Sequence, residues 1–203
     1  GQTATGAFGL AFHEIECSLS VTTSRVGRIR DRTSNLIDQS EGMLQDTVDI
    51  GAKTEDSPFI DRVQDDAAKI AKLFEAAIDE GKITTADLFS RKYTPIQGTD
   101  PEQVMAPFTH LTDKLLPPVQ EAAFKLSDKV VFCAAVNVDG YLPTHNRKFS
   151  RPQGKDVAWN TANCRNRRIF DDRVGAKAGH NTRPFLMQVY RRDMGGGVYK
   201  IMK

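Results

Sequence analysis

The chain has 203 residues with 39% hydrophobic and 27% charged residues and a formal net charge of +2, proportions that exclude a disordered polyelectrolyte and fit a folded globular protein. No apolar run approaches the ~20 residues needed to cross a bilayer, and Cys17, Cys133 and Cys164, scattered and without a C-x-x-C, give neither a disulfide framework nor a thiolate metal site. The charge is unevenly placed: residues 1–146 carry 14 Lys/Arg against 22 Asp/Glu, and residues 147–193 carry 12 against 4.

Residues 12–50 carry a seven-residue pattern. Phe12, Leu19 and Val26 recur at one position, and Ile15, Ile29, Leu36, Met43 and Ile50 at another, with Thr22, Thr33, Ser40 and Thr47 in the remaining slots. Such a seam predicts a long helix that packs against one neighbour, either a second copy of the chain or the following helix. Ser57-Pro58 predicts a new helix with Ser57 as cap. Its apolar face is Phe59, Ile60, Val63, Ala67, Ile70, Phe74, Ala77 and Ile78, and Gly81 ends it. Thr84 or Thr85 caps a short helix near Ala86. Residues 90–99 read as a loop. Asp100-Pro101 predicts the start of another helix, interrupted at Pro107, Pro117 and Pro118 and ending near Leu126.

The pattern then turns to β. Residues 129–138, "KVVFCAAVNV", read as a strand, Asp139-Gly140 as a two-residue hairpin turn with both positions at positive φ, and "YLPTH" as the returning strand. Residues 149–161 read as a loop, 165–179 as a helix that Gly175 splits, 184–193 as a strand, "MGGG" as a hairpin connection and "VYKIMK" as a final strand. Helices first and an antiparallel sheet second predict an α+β fold. Two parts follow: a long amphipathic helix, 1–54, and an α+β domain, 55–203. A chain that stops on a strand suggests a sheet lacking its last strand.

No Walker loop, G-x-S-x-G or H-E-x-x-H is present, and a Cys164–His pair is too weak a signal for nucleophilic catalysis, so no enzyme and no cofactor is expected. His145 and His180 fit hydrogen bonding at element ends and, as an alternative, ligation of haem or a metal. The arginines carry more weight, because a guanidinium forks onto carboxylate or phosphate. Arg167, Arg168 and Arg173 are placed on two turns of one helix, with Asp171 and Asp172 as internal partners. Strand alternation sends Arg191 and Arg192 to opposite faces. A second alternative makes the basic region 147–192 a nucleic-acid-binding module; its interleaved acids favour ion pairing and ligand contact instead.

The motifs "VDGYLPTHNRKFS", "NRRIFDDRVGAKAGHNTRPFLMQVYRRDMGGG" and "VYKIMK" resemble a sensor module of bacterial methyl-accepting chemotaxis proteins, in which D-x-N-G-Y-x-P-T-H-N, N-R-x-x-R-I-F-x-D and N-T-x-P-F-L-x-Q-x-Y-x-R-D recur in this order. The likeness covers residues 130–203. It implies dimerisation and signalling for the helix 1–54 and sensing for the domain 55–203, the latter a PAS/Cache-like sheet with a small-molecule pocket, without the family's methyl-accepting hairpin. The expected role is a sensory, ligand-binding domain of a chemotaxis-type signal transduction protein, a homodimer through its N-terminal helix, working with a chemotaxis signalling region or proteins. The scattered cysteines and lack of membrane segments point to the cytoplasm. By motif position Tyr141, His145 and Asn146 form one pocket wall and Arg168, Asp172 and Arg173 a helical wall, with Tyr190 on the strand between. The arginine is expected to meet an anionic group.

Overall fold

The computed structural model describes residues 2–202, and side chains from residue 13 onward. The expected place of Phe12 in the apolar seam, and Lys203 at the end of the last strand, lie outside what is described. The fold is mixed α+β, and the chain divides into two compact units, Gly1–Ile50 and Gly51–Lys203.

The first unit is one helix, α1 (Gln2–Asp49). Three threonines return their hydroxyls to carbonyls one turn back, Thr23 to Leu19 (2.9 Å), Thr33 to Ile29 (2.9 Å) and Thr47 to Met43 (2.7 Å). These bonds satisfy the hydroxyls within the helix, so threonine is tolerated along it. The apolar seam faces outward: Leu19, Val26, Ile29, Leu36 and Met43 are all at least 60% exposed.

The second unit begins with α2 (Ser57–Asp79). Asp56, not Ser57, is the N-cap residue; Ser57 starts the helix and its Oγ accepts the Thr54 N–H at 2.8 Å. At the other end Gly81, at φ 69°, donates to Ile78 O while Lys82 donates to Ala77 O. This paired closure needs a left-handed residue after the cap. Ile60 and Ala77 are buried as the periodicity predicts, but Val63 and Ala67 face solvent. The inner face instead buries Asp66, held by Arg62 Nε at 2.7 Å; the same guanidinium donates to the Val119 and Ala122 carbonyls at 3.3 Å. Arg62 thereby joins α2 to the C-terminal end of α5 (Pro117–Ala122), where carbonyls lack helical partners.

α3 (Thr85–Leu88) is capped by Thr84, whose Oγ accepts the Asp87 N–H at 3.0 Å. No helix starts at Asp100. That peptide bond to Pro101 is cis, and the chain forms β1 (Thr94–Pro95) and β2 (Val104–Met105), with Ile96 N–H donating to Gln103 O. The helix begins later, as α4 (Thr109–Leu115), and Pro117 opens α5. A 3₁₀ turn, Ala123–Lys125, closes the helical segment close to the expected end.

Residues 129–138 form no strand. Cys133 N–H goes to the Asn146 side chain, not to a neighbouring backbone, so side-chain competition replaces the ladder. The turn after them is real but longer than expected. Gly140 N–H bonds Asn137 O, Asn137 N–H bonds Tyr141 O, and Gly140 alone has positive φ, at 73°. This is a three-residue connection with glycine in the left-handed place. A Cβ there would also fall on the Phe170 carbonyl oxygen.

β3 (Tyr141–Leu142) pairs antiparallel with β4 (Arg168–Ile169), Tyr141 opposite Ile169. Backbone bonds extend this frame: Phe170 to Gly140, Arg167 to Leu142, Arg165 to Phe149 and Arg151 to Asn163. Between them lies α6 (Val157–Asn163), where a loop is expected from composition; Asp156 caps it by accepting the Trp159 N–H. The expected helix over 165–179 is therefore two elements. Arg167, at φ 62°, and Arg168 belong to the β frame, and α7 (Arg173–Gly179) starts after Asp172 and runs through Gly175 unbroken. β5 (Tyr190–Asp193) and β6 (Tyr199–Met202) form a hairpin across Met194–Val198. In place of one antiparallel sheet the described residues form three two-stranded ladders, and Val104 N–H to Arg167 O links β2 to the residue before β4 by a single bond. A core of Val104, Ala106, Phe108 and Tyr141, with Ile83, Leu88 and Tyr93 packed against it, lies at β2 and β3.

Candidate functional site

The Tyr-x-x-Thr-His-Asn run turns its polar side chains inward, and most of them are already satisfied there. Tyr141 is fully buried; its hydroxyl meets Thr109 Oγ1 at 2.8 Å and donates to Val104 O at 3.0 Å, and its ring lies 5.0 Å from that of Tyr93 and 5.8 Å from that of Phe108. Asn146 is equally buried. It accepts Cys133 N–H (2.7 Å) and donates to Gln120 O (3.1 Å) and Glu121 Oε1 (3.2 Å). Thr144 bonds Thr112 and Asp113. These residues join α4 and α5 to the β frame, which places Tyr141 and Asn146 in the core.

His145 differs from them. Its Nδ1 accepts the Asn146 N–H at 2.8 Å, and its ring packs against Phe132 (5.3 Å) and Phe149 (5.0 Å). Burial, with Arg192 and Arg165 nearby, pushes His145 down to about 3, so the ring is neutral at pH 7. With Nδ1 accepting, the proton of the neutral ring sits on Nε2.

The same two phenylalanines receive Arg192. Its guanidinium lies 4.2 Å from the Phe149 ring centre and 4.8 Å from that of Phe132. Arg192 is the inward residue of β5 and only 2% exposed, while Arg191 points out over Tyr199. Nε, Nη1 and Nη2 of Arg192 are all buried without a hydrogen-bond partner. A buried guanidinium with five unused donors is costly and uncommon. Burial, reinforced by Arg165, pulls it down to about 10, which leaves it charged at pH 7.

Two more arginines complete the group. Arg165 and Arg168 both lie against the Phe170 ring, 4.8 and 5.0 Å from its centre. Arg165 Nη1 donates to Thr161 O and Asp193 O. Arg168 keeps Nη1 buried without a partner, and burial plus the charge of Arg165 pulls it down to about 10. Tyr190, on the same face of β5 as Arg192, is pushed up by burial. None of Arg165, Arg168 and Arg192 forms an ion pair with a described carboxylate. Asp193 gives Oδ1 to Gly195 N–H, and Asp172 gives Oδ1 to Val174 and Gly175 N–H as the cap of α7.

Of the seven residues expected at the site, His145, Arg168 and Tyr190 border this arginine group. Tyr141 and Asn146 belong to the core, and Asp172 and Arg173 stand exposed at the start of α7. Arg192 and Arg165 were missing from the expected set. The signal for Arg192 was in the sequence: Tyr190 and Arg192 are two apart on a strand, so an inward Tyr190 requires an inward Arg192.

A separate surface groove of about 810 Å³ is lined by Arg91, Tyr93, Asp139, Asp171 and His180 among others. Arg91 and the Tyr93 hydroxyl both bond Asp139, which holds its carboxyl below the usual range. His180 Nδ1 bonds Ala176 O on its own helix. His145 and His180 thus serve different places, and among the described residues no group of three or more His, Cys, Asp or Glu is set to hold a metal ion. No described helix is long and apolar enough to cross a membrane. Compared with protein-family models, curated proteins and solved structures, the chain matches none.

Proposed function

We propose that the second unit is the sensory, ligand-binding part of a chemotaxis-type signal transduction protein with a PAS/Cache-like origin, that it acts in the cytoplasm, and that its ligand is a small anion. One observation carries the anion: Arg192 is buried with every guanidinium nitrogen unpartnered, near Arg165 and the neutral donor His145, and Arg165 in turn adjoins Arg168. An anion satisfies such a group; water-exposed polyanions such as nucleic acid reach outward arginines, and these three are turned inward. In this reading α1 pairs with a second copy through Leu19, Val26, Ile29, Leu36 and Met43, each worth roughly 1.5–3 kcal/mol when fully buried. Ligand occupancy favours one packing of that pair over another, a coupling of about 1–3 kcal/mol.

The experiment is a thermal-shift comparison of small organic anions, neutral metabolites and amines at constant ionic strength. Selective stabilisation by anions, lost in Arg192→Met, supports the reading. Stabilisation by neutral compounds or amines alone sinks it.

A further inference from the structure

The ligand's shape follows from how the three arginines are committed, an argument that rests on the anion reading above. Arg165 is the middle member. It shares Phe170 with Arg168, and it donates to the carbonyl of Asp193, the residue after Arg192. Its Nη1 is therefore engaged with backbone carbonyls of Thr161 and Asp193. Arg165's charge acts on both Arg192 and Arg168, and unused donors remain on each of them: all three nitrogens of Arg192 and Nη1 of Arg168. A single compact oxyanion serves one such set. Two sets near an engaged cation ask for two anionic heads on one molecule. The walls around them, Phe132 and Phe149 on the Arg192 side and Phe170 on the Arg168 side, are apolar and suit a hydrocarbon or aromatic link between the heads.

We infer that the site takes a small dicarboxylate, one carboxylate received by the Arg192 fork with His145 Nε2–H as a further donor, the other by Arg168. The nearby acids do not compete for these donors, because Asp172 and Asp193 accept backbone N–H groups and stand exposed.

The test is calorimetric titration of the full chain at neutral pH and fixed ionic strength with malonate, succinate, glutarate and phthalate, against acetate, benzoate and inorganic phosphate. At least one dicarboxylate is expected to bind one per chain and about ten- to hundredfold tighter than acetate or benzoate, the worth of one additional charge-assisted pair. Arg168→Gln should bring that dicarboxylate down to monocarboxylate affinity, with Arg168→Lys restoring part of the difference. Arg192→Met should remove its binding. Circular dichroism melts establish that each variant is folded. Acetate or benzoate binding as tightly as every dicarboxylate, or Arg168→Gln leaving the ratio intact, overturns the two-headed ligand while the anion site stands. Phosphate binding tighter than all the dicarboxylates does the same. Binding of none of these anions overturns this inference and the anion reading together.

Discussion

Replacing Arg192 by methionine should make the ligand-free protein more stable, not less. Arg192 is 2% exposed, and its guanidinium has no hydrogen-bond partner. Burial pulls it down to about 10; with each tenfold in proton affinity worth about 1.4 kcal/mol, keeping the charge inside costs roughly 3 kcal/mol. Its stacking on Phe132 and Phe149 returns about 1–2 kcal/mol. Methionine keeps an unbranched apolar stem of similar reach and removes the charge, so the net gain is about 1–2 kcal/mol. For a chain of this size that raises Tm by roughly 2–8 °C. The assay is paired thermal and urea denaturation of wild type and Arg192→Met in buffer free of organic acids. The wild type alone should then gain stability as a bound dicarboxylate is added. A variant destabilised by about 2 kcal/mol or more would mean that Arg192 is a structural tie, and the argument from its unused donors would fail.

Further outcomes can be checked separately. Tyr141→Phe removes the hydroxyl that donates to Val104 O and leaves Thr109 Oγ1 with the Ala106 N–H alone; it should cost about 1–3 kcal/mol in urea denaturation without changing anion affinity. Gly140→Ala forces a side chain into φ 73° and onto the Phe170 carbonyl; a loss of at least ~2 kcal/mol in the same assay is expected. His145 is held neutral, down to about 3 against an ordinary value of 6.5. Its unfolded form binds the proton first, so stability is full above pH 6.5 and falls as pH drops toward 3. Between pH 7 and pH 5 this amounts to about 2 kcal/mol, and His145→Gln should flatten that segment of the stability–pH curve. Ile29→Asp with Leu36→Asp, on the exposed seam of α1, should turn a dimer into a monomer in sedimentation velocity and leave the melt of the second unit unchanged.

How far the sequence spoke depended on whether local chemistry decided each element. The heptad pattern of α1, the Gly81 closure, the Thr84 cap and the glycine hairpin after Asp193 were legible because each is settled within a few residues. The failures share a cause in long-range bonding. Residues 129–138 have strand composition, yet Asn146 takes the Cys133 amide, and nothing local announces it. Arg167 and Arg168 have helical neighbours in sequence, but backbone bonds to Leu142 and Val104 hold that stretch extended. Asp100-Pro101 mimics a helix start, while Val104 N–H reaches the distant Arg167 O and the chain there runs as β2. At the site, His145, Arg168 and Tyr190 of the expected residues lie at the inward arginines. The polar side chains of the motif's Tyr, Thr and Asn serve the core, and the arginines that face inward without partners come from two other segments.

The claim at the centre is that the buried arginines receive an anion. Crystals grown with bromosuccinate give the most direct reading, since bromine is located by its anomalous scattering. The account predicts one bromine per chain beside Phe149 and Phe170, with carboxylate oxygens about 3 Å from Arg192 and from Arg168. Bromine found only on outer surfaces, with the Arg192 guanidinium still unpartnered or bonded to protein groups instead, would contradict it.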